Sequence, residues 1–223
     1  AALQVAAPRR VLVLGDNSYA VVQRLLDHRP ERLDLVSVDQ RAYRLVAMYL
    51  PPAQAAALAA AAVHLHFADP RRFLAAPGVW DLIVVAAGEP ESGRVNRLYT
   101  HDFYALCRAR LSPGGVLAFQ LEAAENLWSP ALLRRTATIL RAVSSAFADV
   151  LLLPGDTVTL LASDRPLSRS AEVLAQRWRE RAIRASLVEP GYIGYLLADE
   201  RGPAAQALLA ATAAPLNTDT RPS

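Results

Sequence analysis

Lysine is absent from the 223 residues, so all 24 basic side chains are arginines. An alanine- and arginine-rich genomic composition accounts for that bias without any functional demand. Cysteine is almost absent. Cys107 is the only one, so no intrachain disulfide can form, which fits a reducing compartment. Its setting, Tyr104-Ala105-Leu106-Cys107, reads as an amphipathic helix with a buried, inert thiol. Histidine is scarce, and His28, His64, His66 and His101 show no metal-ligand spacing with carboxylates or with the cysteine. His64 and His66 share one face of a strand but lack a third ligand, so no metal is expected. An excess of one charge is missing too. The formal net charge is +3, with the arginines scattered among 21 acids, so nucleic acid is not an expected partner. No apolar run reaches the length of a bilayer span, and no secretory leader pattern opens the sequence. The two ends, at Ala1 and Ser223, read as the cuts of an excised domain. Internal repeats are lacking.

What is present is apolar material in α/β order. The chain is 53% hydrophobic, enough for a substantial core. Val11 to Leu14 is a wholly apolar run ending at Gly15, the signature of a buried parallel strand. Further strands are predicted at Leu33 to Val38, Val63 to Phe67, Leu82 to Val85 and Val116 to Gln120. Helices are predicted over Tyr19 to Asp27, Arg41 to Tyr49, Gln54 to Ala62, Thr100 to Leu111 and Ala131 to Phe147. Pro113-Gly114-Gly115 reads as a turn. Val150 to Leu153 and Val158 to Ala162 flank a Pro154-Gly155-Asp156 turn and read as a late antiparallel pair. The expected fold is α/β: a Rossmann-like, methyltransferase-type sheet, mostly parallel, with helices on both faces. Residues 1–165 form the nucleotide-binding part, and residues 166–223 a helical, then irregular, extension of the same domain.

Ligands of such sheets sit at the carboxyl ends of the strands, which directs attention to four places. Gly15-Asp16-Asn17-Ser18-Tyr19 is the first strand-to-helix turn, where a glycine lets backbone approach a ligand. One of Asp16, Asn17 and Ser18 could equally cap the helix. Asp39 closes the second strand, where a carboxylate can accept both hydroxyls of a ribose. Asp69 closes the third, where methyltransferase-like folds commonly meet an adenine amino group. Both could instead be helix caps. Together they suggest an adenosine-type site. Ala86 to Glu89 close the fourth strand.

The segment Trp80-Asp81-Leu82-Ile83-Val84-Val85-Ala86-Ala87-Gly88-Glu89-Pro90 resembles the spermidine synthase family's pattern of a "YD" pair, a strand and "DxxDP". Leu98-Tyr99-Thr100, Asp102-Phe103-Tyr104 and Leu111-Ser112-Pro113-Gly114-Gly115-Val116 follow as they do in that family. The ending Leu216-Asn217-Thr218-Asp219-Thr220-Arg221-Pro222 is similar to the "NTDxRP" close of a bacterial subgroup, as is Asn96-Arg97-Leu98-Tyr99-Thr100. In that subgroup the synthase-like domain is fused to multi-pass membrane segments. The resemblance covers about residues 10 to 222.

It implies decarboxylated S-adenosylmethionine, or S-adenosylmethionine itself, as the bound substrate, with a polyamine as acceptor. It also implies a soluble domain tethered at the cytoplasmic face of a membrane protein, with homodimerisation left open. The departures are local. The family's "GGGDG" loop is Gly15-Asp16-Asn17-Ser18-Tyr19 here. Its ribose-binding glutamate falls on Ser37, while an aspartate two residues on survives as Asp39, on the same strand face. The first aspartate of "DxxDP", which helps deprotonate the attacking amine, falls on Ala86, and the second on Glu89. An attacking amine must be neutral, and a methyl group cannot accept its proton. Glu89 is therefore the remaining catalytic candidate. The acidic groove for a polyamine is reduced to Glu89, Glu91, Glu122 and Glu125, and the usual amino-terminal hairpin has no counterpart before Val11. Three readings follow: an aminopropyltransferase-like domain with degenerate chemistry, a non-catalytic nucleotide-sensing or structural module, and an S-adenosylmethionine-dependent methyltransferase.

Overall fold

The structure, a computed structural model, describes residues 1–16, 18–122, 129–155, 157–183, 189–198 and 200–222. The first half alternates strands and helices: β1 (Arg10–Leu14), α1 (Tyr19–Leu26), β2 (Arg32–Ser37), α2 (Gln40–Ala47), α3 (Pro52–Leu58), β3 (Val63–Phe67), α4 (Pro70–Ala75) and β4 (Trp80–Val85). Then come α5 (Gly93–Asn96), α6 (His101–Arg108), β5 (Leu111–Glu122), α7 (Pro130–Ala146), β6 (Asp149–Leu153) and β7 (Thr157–Ser163). Three helices follow: α8 (Ala171–Glu180), α9 (Pro190–Ala198) and α10 (Arg201–Ala211).

The strands form one sheet in the order β3-β2-β1-β4-β5-β7-β6. Pairing is parallel from β3 through β5, and β7 is antiparallel to both β5 and β6. The order reverses direction between β1 and β4, which opens a crevice at their carboxyl ends. Period-two alternation divides the core into two clusters. Leu12, Leu14, Val36, Ile83, Val85, Leu117 and Phe119 belong to one, together with side chains of α6, α7 and α10. Val11, Val13, Leu33, Leu35, Leu82, Val116 and Ala118 belong to the other, together with α1. Both faces of the central strands are therefore buried, which explains their continuous apolar runs.

One sequence expectation needs correction. Pro113-Gly114-Gly115 is not a turn before a strand but an irregularity inside β5. Trp80 pairs with Leu111 and Leu82 with Val116, so the extra residues of β5 bulge out. Gly114 takes a φ of +80° there, a left-handed backbone that glycine adopts without strain. The late antiparallel pair is present as β6 and β7, and β7 also pairs directly with β5, so the pair extends the main sheet. Asp156, in the expected turn, lies outside the described residues.

One feature the apolar pattern concealed is Asp34, 2% exposed in the middle of β2. Its carboxylate accepts from Arg32 Nε and Nη2, from Trp80 Nε1 at 3.0 Å and lies 2.8 Å from His66 Nε2. Burial opposes the charge, but the hydrogen bonds from Arg32, Trp80 and His66 outweigh it. They hold the carboxyl at about 2, below the ordinary 3.8. A folded value below the unfolded one stabilises the fold wherever the group is ionised in both states. The contribution is complete above about pH 4 and is lost as pH falls through about 2; it is on the order of 2 kcal/mol. Chemical denaturation between pH 5 and pH 2 should show that loss in the parent and a correspondingly flatter profile in Asp34→Asn.

Candidate nucleoside site at the strand ends

The crevice is built from the first turn outward. Gly15 has a φ of +119°, and a Cβ on it would lie 2.5 Å from the Ala86 carbonyl oxygen. The turn after β1 thus crosses the end of β4 at backbone contact, a close approach open only to glycine. It is pinned on both sides: the Gly15 N–H donates to Val36 O at 2.9 Å, and the Ala86 N–H to Leu14 O at 2.7 Å.

Asp16 turns toward β2. Its Oδ1 accepts from the Ser37 hydroxyl at 2.5 Å and from the Val38 N–H at 3.0 Å. Ser37 is buried, 1% exposed, so its short side chain leaves room for a carboxylate arriving from the neighbouring turn. An acid is therefore present at the end of β2, supplied by Asp16 across the gap. No hydrogen bond is formed by its Oδ2 among the described residues. Asn17 lies outside the described residues. Tyr19 packs against Tyr43, ring centroids 5.5 Å apart, and Tyr43 meets Phe67 edge-on at 5.6 Å. This row of rings flanks the crevice on the side of α1 and α2.

Asp39 and Asp69 behave as caps. Asp39 Oδ1 accepts from the N–H groups of Arg41 and Ala42 at the start of α2, in an exposed position that lowers its pKa through those bonds. Asp69 Oδ1 accepts from Arg71 and Arg72 at the start of α4, and its Oδ2 is ion-paired with Arg97. Both oxygens of Asp69 are engaged. An adenine amino group would have to share Asp69 Oδ2 with Arg97.

At the end of β4, Ala86 packs against the cluster that holds Val11 and Val13. Glu89 is not a free carboxylate. Its Oε1 accepts from the Glu122 N–H at 2.6 Å, and its Oε2 lies 2.8 Å from Arg135 Nη2 of α7. That second contact is an ion pair out of line for a hydrogen bond, so Oε2 has charge compensation without a hydrogen-bond donor among the described residues. The Tyr99 hydroxyl donates to Gly88 O at 2.9 Å and fixes the loop. Glu91 is exposed, and Glu125 and Trp128 lie outside the described residues. Cys107 is buried, and burial pushes its thiol pKa well up, as expected for an inert side chain. Among the described residues no three His, Cys, Asp or Glu are grouped to hold a metal, and no helix is long and apolar enough to cross a membrane.

Sequence reasoning missed the arginines, although one signal was readable. Arg135 shares its helical face with Ile139, Ala142 and Ala146, all buried, so an arginine there had to point inward. The carboxy-terminal motif also has a place. Asn217, fully buried, donates to Asn96 Oδ1 at 2.9 Å and to Tyr99 O at 3.0 Å, and its own carbonyl accepts from the His101 N–H. Asp219 accepts from Thr100 Oγ1 and is paired with Arg71. The two segments that resemble the bacterial subgroup, at 96–100 and 216–222, are thus docked on one another.

A mostly parallel sheet with this strand order and a glycine turn at its switch point define a methyltransferase-type α/β fold. Residues 1–151 match the model of the spermine/spermidine synthase domain, and the chain belongs to that family. It is 32% identical to a polyamine aminopropyltransferase of Synechococcus sp. (strain JA-2-3B'a(2-13)) over 146 residues, 64% of this chain and 46% of that one. It is 31% identical to polyamine aminopropyltransferase 2 of Pseudomonas aeruginosa over 163 residues, 70% and 47% of the two chains. The chain spans about half the length of these curated relatives. Among solved structures, a spermidine synthase in complex with the transition state analogue AdoDATO superposes with a TM-score of 0.78 at 16% identity, covering 92% of this chain and 72% of the other. Human methyltransferase-like protein 13 in complex with SAH gives 0.61 at 16% identity, covering 85% and 88%. At those identities the structural likeness concerns the fold.

Proposed function

We propose that this domain binds an S-adenosyl-type nucleoside, decarboxylated S-adenosylmethionine or S-adenosylmethionine, and that its aminopropyl-transfer chemistry is degenerate. The observation that carries the first part is the Asp16 carboxylate, held by Ser37 and Val38 at the end of β2, with no hydrogen bond on Oδ2 among the described residues. A carboxylate fixed by two donors is preorganised to accept hydrogen bonds from a ribose diol. Gly15 supplies the close backbone approach, and the apolar, partly exposed Val38 and Phe67 stand at the neighbouring strand ends, where a base could lie. Family membership supports the same ligand class. The second part rests on Ala86, which can neither hold an ammonium nor accept its proton.

Calorimetry with S-adenosylmethionine, its decarboxylated form and methylthioadenosine tests the reading. Binding of at least one is expected, and Asp16→Asn should weaken it by about 1.5–3 kcal/mol, the range for a hydrogen bond to a charged acceptor. Asp69→Ala should weaken it less, because that carboxylate is already committed to Arg97 and the α4 cap. A parent domain that binds none of the three would overturn the reading.

A second reading, a non-catalytic sensing or structural module attached to a membrane protein at its cytoplasmic face, is favoured by the docked 96–100 and 216–222 motifs and by the same alanine. In its sensing form it shares the nucleoside site and lacks turnover; in its structural form it lacks both. The methyltransferase reading is supported by the fold and by the strand-end acid at Asp39, one oxygen of which caps α2.

A further inference from the structure

Resting on that reading, we propose that Arg135 determines acceptor specificity: its guanidinium occupies the place at which an amine's cation would meet Glu89, and so excludes diamines. Glu89 follows β4 at the crevice, where the family resemblance expects a carboxylate to receive the acceptor. Here that carboxylate is largely buried, 16% exposed, and both its oxygens face groups of this chain. Arg135 is itself mostly covered, 29% exposed, and its Nε is buried without a hydrogen-bond partner among the described residues. Arg135 Nη2 also lies 3.9 Å from Glu122 Oε2, which is 69% exposed. The guanidinium therefore stands between Glu89 and Glu122. An arriving ammonium would have to displace a tethered cation from Glu89 or accept a like charge beside it, and either weakens its binding.

The arrangement differs from an incidental surface ion pair. Such a pair joins two solvated side chains and is worth little. This one is seated on the buried face of α7, on the same stripe as Ile139 and Ala142, and the loop carrying Glu89 is held by the Tyr99 hydroxyl at Gly88 O. A tethered cation cannot diffuse away, so its effective concentration at Glu89 exceeds that of a free diamine. With Ala86 in the other acidic position of the motif, no described carboxylate of that loop remains open to a cation except the exposed Glu91.

The test is titration of putrescine into the 223-residue domain and into Arg135→Met, with and without methylthioadenosine. Arg135→Gln, which removes the charge but keeps a polar side chain, covers the case in which the methionine variant does not fold. The parent is expected to show no measurable diamine binding. Both charge-removing variants are expected to bind at least about tenfold more tightly than the parent's detection limit. The Glu89→Gln/Arg135→Met double variant is expected to lose that gain. A structural role alone predicts lower stability in the single variants and no gain of diamine affinity. Putrescine binding by the parent, or no gain in a folded Arg135 variant, would overturn the assignment. The nucleoside-free titrations report on Arg135 even if methylthioadenosine fails to bind, so the two claims fail separately.

Discussion

Assayed with putrescine and decarboxylated S-adenosylmethionine, the domain is expected to turn over roughly a hundredfold to ten-thousandfold more slowly than a family member with a carboxylate at position 86. That range is what general-base assistance contributes when a positioned group takes the proton of the nucleophile. Glu89 was the remaining candidate for that role, its extra methylene offering reach. The structure removes much of this prospect, because Glu89 is turned onto Arg135 and the Glu122 N–H. Ala86→Asp should raise whatever turnover exists, and Ala86→Asp combined with Arg135→Met should raise it further, since the double variant both supplies the base and frees Glu89. The gain from Ala86→Asp alone is tempered by the apolar cluster on which position 86 packs. Robust turnover by the parent would show that chemistry has not been lost at this position.

The largest structural effect is expected from Gly15→Ala. Its Cβ would lie 2.5 Å from the Ala86 carbonyl oxygen and 2.7 Å from the carbonyl carbon, contacts that a backbone group cannot relieve by changing rotamer. A φ of +119° adds strain of its own for any residue with a side chain. The turn must therefore lift away from β4, and the Gly15–Val36 and Ala86–Leu14 hydrogen bonds on either side stretch with it. A loss of about 3 kcal/mol or more in unfolding free energy is expected, with nucleoside binding reduced in the variant that still folds. Urea denaturation checks the first and calorimetry the second. A Gly15→Ala variant as stable as the parent would mean that the close approach at the switch point is not required.

Much of the architecture could be read without coordinates, because burial on both faces of a parallel strand leaves a continuous apolar run that few other elements produce. Val11 to Leu14 matches β1 to within a residue at each end, and Val63 to Phe67 coincides with β3. The edge strand β3 was legible for a different reason: Asp69 and Pro70 stop it sharply. What the sequence concealed was long-range. The bulge in β5 depends on register against β4, and the position of β7 between β5 and β6 depends on which edge was free. At the site, single positions were legible and their partnerships were not. Asp16 and Ser37 are 21 residues apart, and neither sequence neighbourhood indicates that one supplies the acid the other lacks. Glu89 could be found from its motif, but its partner Arg135 lies on a distant helix and was visible only as an arginine in phase with Ile139 and Ala142.

The central claim is that the crevice above Gly15 holds an adenosine whose ribose is read by Asp16. A crystal structure of the domain grown with saturating methylthioadenosine tests it most directly. The account predicts the nucleoside at the carboxyl ends of β1 and β2, with a ribose hydroxyl within hydrogen-bonding distance of Asp16 Oδ2 and the Ser37 hydroxyl still donating to Oδ1. An empty crevice at saturating ligand, or a nucleoside bound there with its ribose turned away from Asp16, would contradict it.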